Sequence, residues 1–491
     1  MAATLVYVDK PPWYQSNLAA GLIATVAGGF ILWLLTWLYG QVAVLPLPLP
    51  LPLLALIALG LAAIAASFIS RTWRSAIWIG PMRRLLKLDV GLARRPRVSA
   101  VDAGRERSRR LQIQKKVFVS DGLITTLRTL YPRFELLTYG GSEFPIWTKL
   151  AAVADRDNLD AALGRLSPGP DPRRPGYPSD FDPAGERVYL ERLATQDGKT
   201  SFNGATFALD RIEMDHDRLL VHAKHGTYFH SLATSECLEA ELVAQLARNP
   251  GREVPLERLP RRKWLHEAVG GEHVVLDGRN RGAALSVAAT LLISQPDGTY
   301  QALLARRSHR VATHASFWHV APSGIFAPLD AEHRDDSREF SVRSSILREY
   351  AEELFSYLDL EDGKGSDASK LVSLRPIKAL KKAQQEGRVS LHYCGISVPL
   401  LTLRPELSVL IFVRDPLWFD QEIRRADQTH RWFSMNWEYE SGKDRDALML
   451  ALDADFNPID RSIVSPAAML PHAAAALHLS TTVAGDVLRL P

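Results

Sequence analysis

The chain has 491 residues, too many for one compact core. Domains average roughly 100 to 200 residues, so about three units are expected. Apolar and charged fractions of 46% and 23% are ordinary for a globular protein. The net charge of +4 divides unevenly along the chain. Residues 71–116 hold 14 Lys/Arg against 3 Asp/Glu, a local +11 that leaves −7 for the remainder. A mildly acidic body argues against general nucleic-acid binding, and no nucleic-acid partner is expected. Cys237 and Cys394 are far apart and form no metal spacing or disulfide framework, so two reduced thiols are expected.

Leu18 to Tyr39 carries no charge, and Trp33, Trp37 and Tyr39 gather at one end of it. A bilayer core needs about 20 apolar helical residues, so this run reads as a transmembrane helix. The run Leu51–Ile69 is equally uncharged and follows Pro46, Pro48 and Pro50. Alternating proline cannot sustain helix, so 41–50 reads as an outer turn before a second span. The expected N-terminal unit is therefore a two-helix hairpin within residues 1–75, followed by a basic juxtamembrane segment over 76–116. The positive-inside rule sets the basic residues, both termini and the large C-terminal part in the cytoplasm of a bacterial-type plasma membrane. The lipid bilayer is the first expected partner.

Residues 117–280 read as an α+β region of unassigned role. Lys116–Val119 reads as strand and Leu159–Leu166 as helix. Residues 167–187 are rich in proline and glycine and read as a linker. Arg218–Ala223 reads as strand. Thr234 or Ser235 opens a helix that Asn249-Pro250-Gly251 stops. His216, His222, His225 and His230 cluster in this stretch and are expected to be scattered strand and loop residues.

Further on, Ala288–Ile293 reads as strand, Asp297-Gly298 as a hairpin turn, and Ala302–Arg307 as the returning strand. A helix begins near Ser341 and carries Ile346, Leu347, Tyr350 and Leu354. On it Glu349, Glu352 and Glu353 fall at i, i+3 and i+4, which sets three carboxylates on one face. Such a run can be a solvated acidic face. It can also hold a hard divalent ion that neutralises a diphosphate and activates a water. Val389–Val398 and Leu407–Val413 read as strands, and Ala467–Leu477 as a closing helix. Trp418, Trp432 and Trp437 read as aromatic core.

Strand, Asp-Gly turn, strand ending Leu-Leu-Ala-Arg-Arg, then Trp-x-x-x-Pro-x-Gly and a helical R-E-x-x-E-E-L together resemble the Nudix hydrolase family over residues about 283–475. The family box reads G-x5-E-x7-R-E-U-x-E-E-x-G-U, with U a bulky apolar residue. Arg348, Glu349, Tyr350, Glu352 and Glu353 match its helical half, and Gly324 resembles its leading glycine. Gly324 stands 24 residues before Arg348, about ten more than the box has. Phe340 stands at the box glutamate, with Glu339 one residue off as a substitute. Phe355 and Ser356 replace the final glycine and apolar residue.

The resemblance implies an α/β fold, with a C-terminal Nudix-like α/β/α sandwich built on a mixed sheet. It implies Mg²⁺ (or Mn²⁺) held by Glu352 and Glu353, with Glu349 joining them or positioning a water. Arg348 would be a structural ion-pair partner, and Glu406 a candidate distal base. The expected activity is hydrolysis of a nucleoside diphosphate linked to another moiety. A ligand sensor that has lost turnover and signals to the two membrane helices is the alternative, and a ligand-free scaffold is a third reading. A nucleotide-like small molecule and a second copy of the chain complete the expected partners.

Overall fold

The computed structural model describes residues 100–169, 203–215, 218–308, 314–328, 339–355, 357, 368–422, 426–427, 430–431 and 447–489. Residues 98–491 belong to a single compact unit. In chain order its main elements begin with α1 (Ala100–Phe118), α2 (Asp121–Leu130), β1 (Leu137–Tyr139), β2 (Ser142–Phe144), β3 (Ile146–Leu150) and β4 (Leu163–Ser167). There follow β5 (Ala205–Asp215), β6 (Arg218–Thr227), α3 (Cys237–Leu246) and α4 (Pro260–Val269). The next group is β7 (Ser286–Ser294), β8 (Tyr300–Arg306), β9 (Trp318–Val320), β10 (Ser323–Ile325), α5 (Val342–Phe355) and α6 (Arg375–Gln385). The chain closes with β11 (Val389–Pro399), β12 (Glu406–Val413), β13 (Ala426–Asp427), β14 (His430–Arg431), β15 (Ala447–Leu452) and α7 (Pro471–Arg489).

One mixed sheet organises the unit, in the order β15-β8-β7-β12-β11-β3, with β9 on β8 and β10 on β7. Only the central β12–β7 pair runs parallel, in a register that sets Glu406 beside Ser286 and Val413 beside Ile293. Every residue of β12 is buried, as is β7 from Ser286 to Ile293. Burial of alternate residues on both sides means that both faces of the sheet centre are covered, the usual condition for a parallel pair. Each fully buried Leu, Ile or Val there contributes about 1.5–3 kcal/mol. Helix α7 packs on β11, β12 and β3, while α5 packs on β7 and β10. Gly298 takes φ +81° in the β7–β8 turn, a left-handed conformation that suits the Asp-Gly reading.

The expected fold class is corrected. The structure is one mixed α/β fold, and among the described residues no helix is long and apolar enough to cross a membrane. The two expected spans, 18–39 and 51–69, lie outside the described residues, as does most of the 167–187 linker. Nor does the middle region stand apart from the C-terminal sheet. Strand β3 pairs with β11, Gly395 facing Leu150. Strand β5, in a second sheet ordered β4-β6-β5, reaches across by main-chain bonds. Phe207 N donates to Phe326 O, Leu209 N to Ala283 O and Leu285 N to Phe207 O, all at 2.8–2.9 Å. Buried Arg262 adds a polar pin, donating to Tyr131 Oη (2.5 Å), Leu238 O, Leu400 O and Leu401 O (2.6 Å).

Three local expectations also change. Lys116–Phe118 is the last turn of α1 instead of a strand. There Lys115 lies over the Phe317 ring at 5.3 Å and Phe118 packs on the same ring. Leu163–Ser167 is a strand instead of helix, because it pairs in parallel with β6. The helix expected from Thr234 starts earlier, at Tyr228, and passes through a π-helical turn at Leu232–Glu236 before α3.

Candidate functional site

Helix α5 is buried on all sides from Ser345 to Phe355, so its charged residues sit in the interior. Exposure is 7% at Arg348, 8% at Glu349, 3% at Glu352 and 2% at Glu353. These values exclude a solvated acidic face, since unpaired charges do not leave water at an affordable cost. Part of what compensates them comes from β10 and the residues after it. Ser323 N–H donates to the Glu353 carboxylate at 2.6 Å. Arg348 donates to Ala327 O (3.1 Å), to Ile325 O at the long limit of 3.5 Å, and to Glu349 Oε1 (3.3 Å). Arg348 thus pairs with Glu349 and ties α5 to the main chain at Ile325 and Ala327.

Gly324 is on β10 opposite Val287, and a Cβ there would stand 2.2 Å from Glu349 Cδ. A larger residue there would push the Glu349 carboxylate aside. Glu339 precedes α5, where its carbonyl accepts from Ser341 N. Phe340, at the box-glutamate position, stacks on Phe326 at 5.1 Å and meets Phe207 edge-on. Phe340 is thus part of an aromatic core with Phe207 and Phe326.

Glu406 opens β12. It lies in register with Ser286, which faces Ile325 on the other side. Two strand spacings, about 10 Å, therefore separate its backbone from the ribbon that Arg348 grips. Glu406 is 3% exposed, and its Oε1 has no hydrogen-bond partner among the described residues. Burial pushes its carboxyl up to about 7, against the opposing pull of Arg404, a Ser286 hydrogen bond and Arg307. That is the protonation range of a general base.

The oxygen-rich set Glu349, Glu352 and Glu353 suits Mg²⁺ or Mn²⁺ in kind. Among the described residues, however, no three His, Cys, Asp or Glu side chains are grouped to hold a metal. Glu349 is turned to Arg348 and Gly324, and Glu353 to the Ser323 amide.

A second polar group borders Glu406 and has no counterpart in the sequence reading. Arg404 donates to Ala284 O and pairs with Glu236 at 2.5 Å. His314, with φ +54°, pairs with Glu239 at 2.9 Å. Burial alone would lower the His314 pKa, but the Glu239 carboxylate outweighs it and the net shift is upward. The rings of His319 and His472 lie 6.5 Å apart and 15° from parallel. Burial pushes His319 down to about 3, reinforced by Arg307, and takes His472 well below its ordinary range. Arg307, His319 and His472 could have been flagged as polar residues bounding apolar runs, but nothing in the chain order joins them.

The middle-region histidines do not gather with the glutamates. His222 contacts Glu213 at 3.1 Å and accepts from Arg165 N, while burial and then Lys224 push His230 down to about 3. His216 lies outside the described residues, as do Trp432 and Trp437. Trp418 is core at 1% exposure. Both cysteines are buried, and among the described residues neither forms a disulfide. No family model matches the chain and no curated protein matches it, so the likeness to the Nudix family rests on the residues described above.

Proposed function

We propose that this chain is a Nudix-type hydrolase that cleaves a nucleoside diphosphate linked to another moiety, with Mg²⁺ (or Mn²⁺) as cofactor. The observation that carries this reading is the burial of Arg348, Glu349, Glu352 and Glu353 against Ser323–Ile325. Interior carboxylates crowded on two turns of helix repel one another, and a bound divalent ion would offset that repulsion. Glu352 and Glu353 would hold the ion, with Glu349 turning from Arg348 to join them. When bound, the ion supplies charge neutralisation for the diphosphate and acidifies a water.

Glu406 is the chain's base in this scheme. Its unpartnered Oε1 takes a proton from water as the water oxygen bonds to phosphorus. The phosphoanhydride P–O bond breaks, and the departing phosphate keeps the electron pair. Ser286 and Arg404 orient the Glu406 carboxyl.

Release of nucleoside monophosphate from a panel of dinucleotides, with and without Mg²⁺, tests the reading. Mg²⁺-dependent release that Glu352→Gln abolishes is expected. Equal turnover in the wild type and Glu352→Gln would sink it. A second reading, ligand binding without turnover, is favoured by the packing of Phe340 in the Phe207–Phe326 cluster where the box has glutamate. Tight nucleotide binding with no hydrolysis across the panel would select it.

A further inference from the structure

A line of four hydrogen-bonded side chains stands apart from the glutamate helix. Ser390 and His392 are two apart on β11, so their side chains share one face of the strand. His392 Nε2 lies 2.9 Å from Ser390 Oγ, and His392 Nδ1 lies 3.1 Å from Asp157 Oδ1. From the other side Arg414 donates to Ser390 Oγ at 3.1 Å. Asp157 precedes His392 by 235 residues, so only the fold joins them.

The backbone holds each member in place. Tyr393 N donates to Arg156 O at 2.7 Å and Ala151 N to Cys394 O at 2.9 Å, which lays the loop carrying Asp157 along β11. Arg156 is itself anchored by an ion pair with Asp486 of α7 at 2.8 Å. Arg414 extends the β11–β12 ladder, its N–H donating to Arg388 O. Its guanidinium lies over the ring of Phe412, the register partner of Ser390.

The chemistry of the four groups fixes the direction of every bond. Arginine can only donate, so Ser390 Oγ accepts from Arg414 and keeps its own O–H for His392. A carboxylate only accepts, so His392 Nδ1 carries the ring proton toward Asp157. Burial pulls the His392 pKa down, Asp157 opposes this by less, and Arg414 and Arg156 reinforce the net fall. The ring is therefore neutral near pH 7, and its Nε2 lone pair faces the serine hydroxyl. A serine hydroxyl aimed at a neutral imidazole that a carboxylate orients is an activated nucleophile. Ser390 is only part-buried and the Asp157 side chain is 92% exposed, so the line opens to solvent.

We propose that Ser390 and His392 form a second hydrolytic site, acting on carboxylic esters, with Asp157 as a positioning residue. Ser390 Oγ bonds to the ester carbonyl carbon while its proton passes to His392 Nε2. The carbonyl oxygen takes up negative charge beside Arg414, a donor suited to an oxyanion. The C–O bond to the alcohol then breaks, and the alcohol leaves with the proton from His392. Water repeats both steps on the acyl-serine, releases the acid and restores the hydroxyl. No residue is shared with the glutamate helix, so this site stands or falls independently of the phosphoanhydride reading.

The test is labelling of the full chain by an alkyl fluorophosphonate, located by peptide mass spectrometry, beside hydrolysis of 4-nitrophenyl acetate. The probe bonds through phosphorus to an activated serine oxygen, and fluoride departs. The label is expected on Ser390. His392→Gln should lower both the labelling and the esterase rate by about 10²–10⁴. Asp157→Asn should lower kcat about fivefold or more with KM unchanged, since its carboxylate acts from an exposed position. Glu352→Gln should behave as the wild type. An unlabelled wild type, a label on another residue, or wild-type labelling in His392→Gln would overturn the proposal. Should His392→Gln fail to fold, the residue labelled in the wild type decides alone.

Discussion

Gly324 and Glu349 touch so closely that a Cβ on the glycine would stand 2.2 Å from the carboxylate carbon as it now lies. Gly324 and Glu349 are therefore two sides of one contact, although 25 residues separate them in the chain. Gly324→Ala should displace Glu349 from Arg348 and cost about 1–3 kcal/mol by overpacking. Thermal unfolding and turnover measured together check this. An unchanged melting temperature with full activity would show that the contact is slack.

Glu353→Gln keeps an oxygen to accept the Ser323 amide, so the fold should survive. Mg²⁺-dependent hydrolysis should fall by about 10²–10⁴, as when a charged group of a catalytic constellation is removed. Circular dichroism beside a monophosphate-release assay separates the two effects, and undiminished release would rule this carboxylate out of the site.

Arg348→Met leaves Glu349 buried and removes the clamp on Ala327 O and Ile325 O. Breaking a buried pair from one side costs about 3–5 kcal/mol. Urea unfolding should register a loss of that order. A loss below about 1 kcal/mol would mean that the pair is effectively solvated.

The Glu406 carboxyl is raised by burial to about 7 from an ordinary 4.5. Between these values the folded protein holds the proton and the unfolded chain does not, so stability falls as pH rises from about 4.5 to 7. The whole swing is on the order of 3 kcal/mol. Compared with Glu406→Gln, the wild type should lose stability across that window. Its hydrolysis should gain a limb that rises through about pH 7 and is absent from the variant. A wild-type denaturation profile parallel to that of the variant would contradict the buried carboxyl.

Where the apolar pattern was long and the turn chemistry explicit, the residues announced the structure. The β7–β8 hairpin around Asp297-Gly298 and the apolar run of β12 are such cases. The i, i+3, i+4 spacing likewise put Glu349, Glu352 and Glu353 on a single helix. Short segments failed because distant partners decide them. Leu163–Ser167 becomes strand through β6, and Lys116–Phe118 stays helical where Phe118 and Lys115 meet Phe317. The carboxylate helix was legible from local spacing, whereas the seating of α7 against β9 depends on main-chain bonds of Trp318 to Ala468 and Leu470, far apart in the chain.

Strands β3 and β5 border the C-terminal half of the fold. A recombinant piece trimmed to begin at residue 283 would remove the main-chain bonds of Phe207 to Leu285 and Phe326, and would bare the outer rim of β11 where Ile146–Leu150 now runs. Such a fragment would present raw, adhesive main chain and should clump in solution. Assays on this protein are therefore best run with the front half attached.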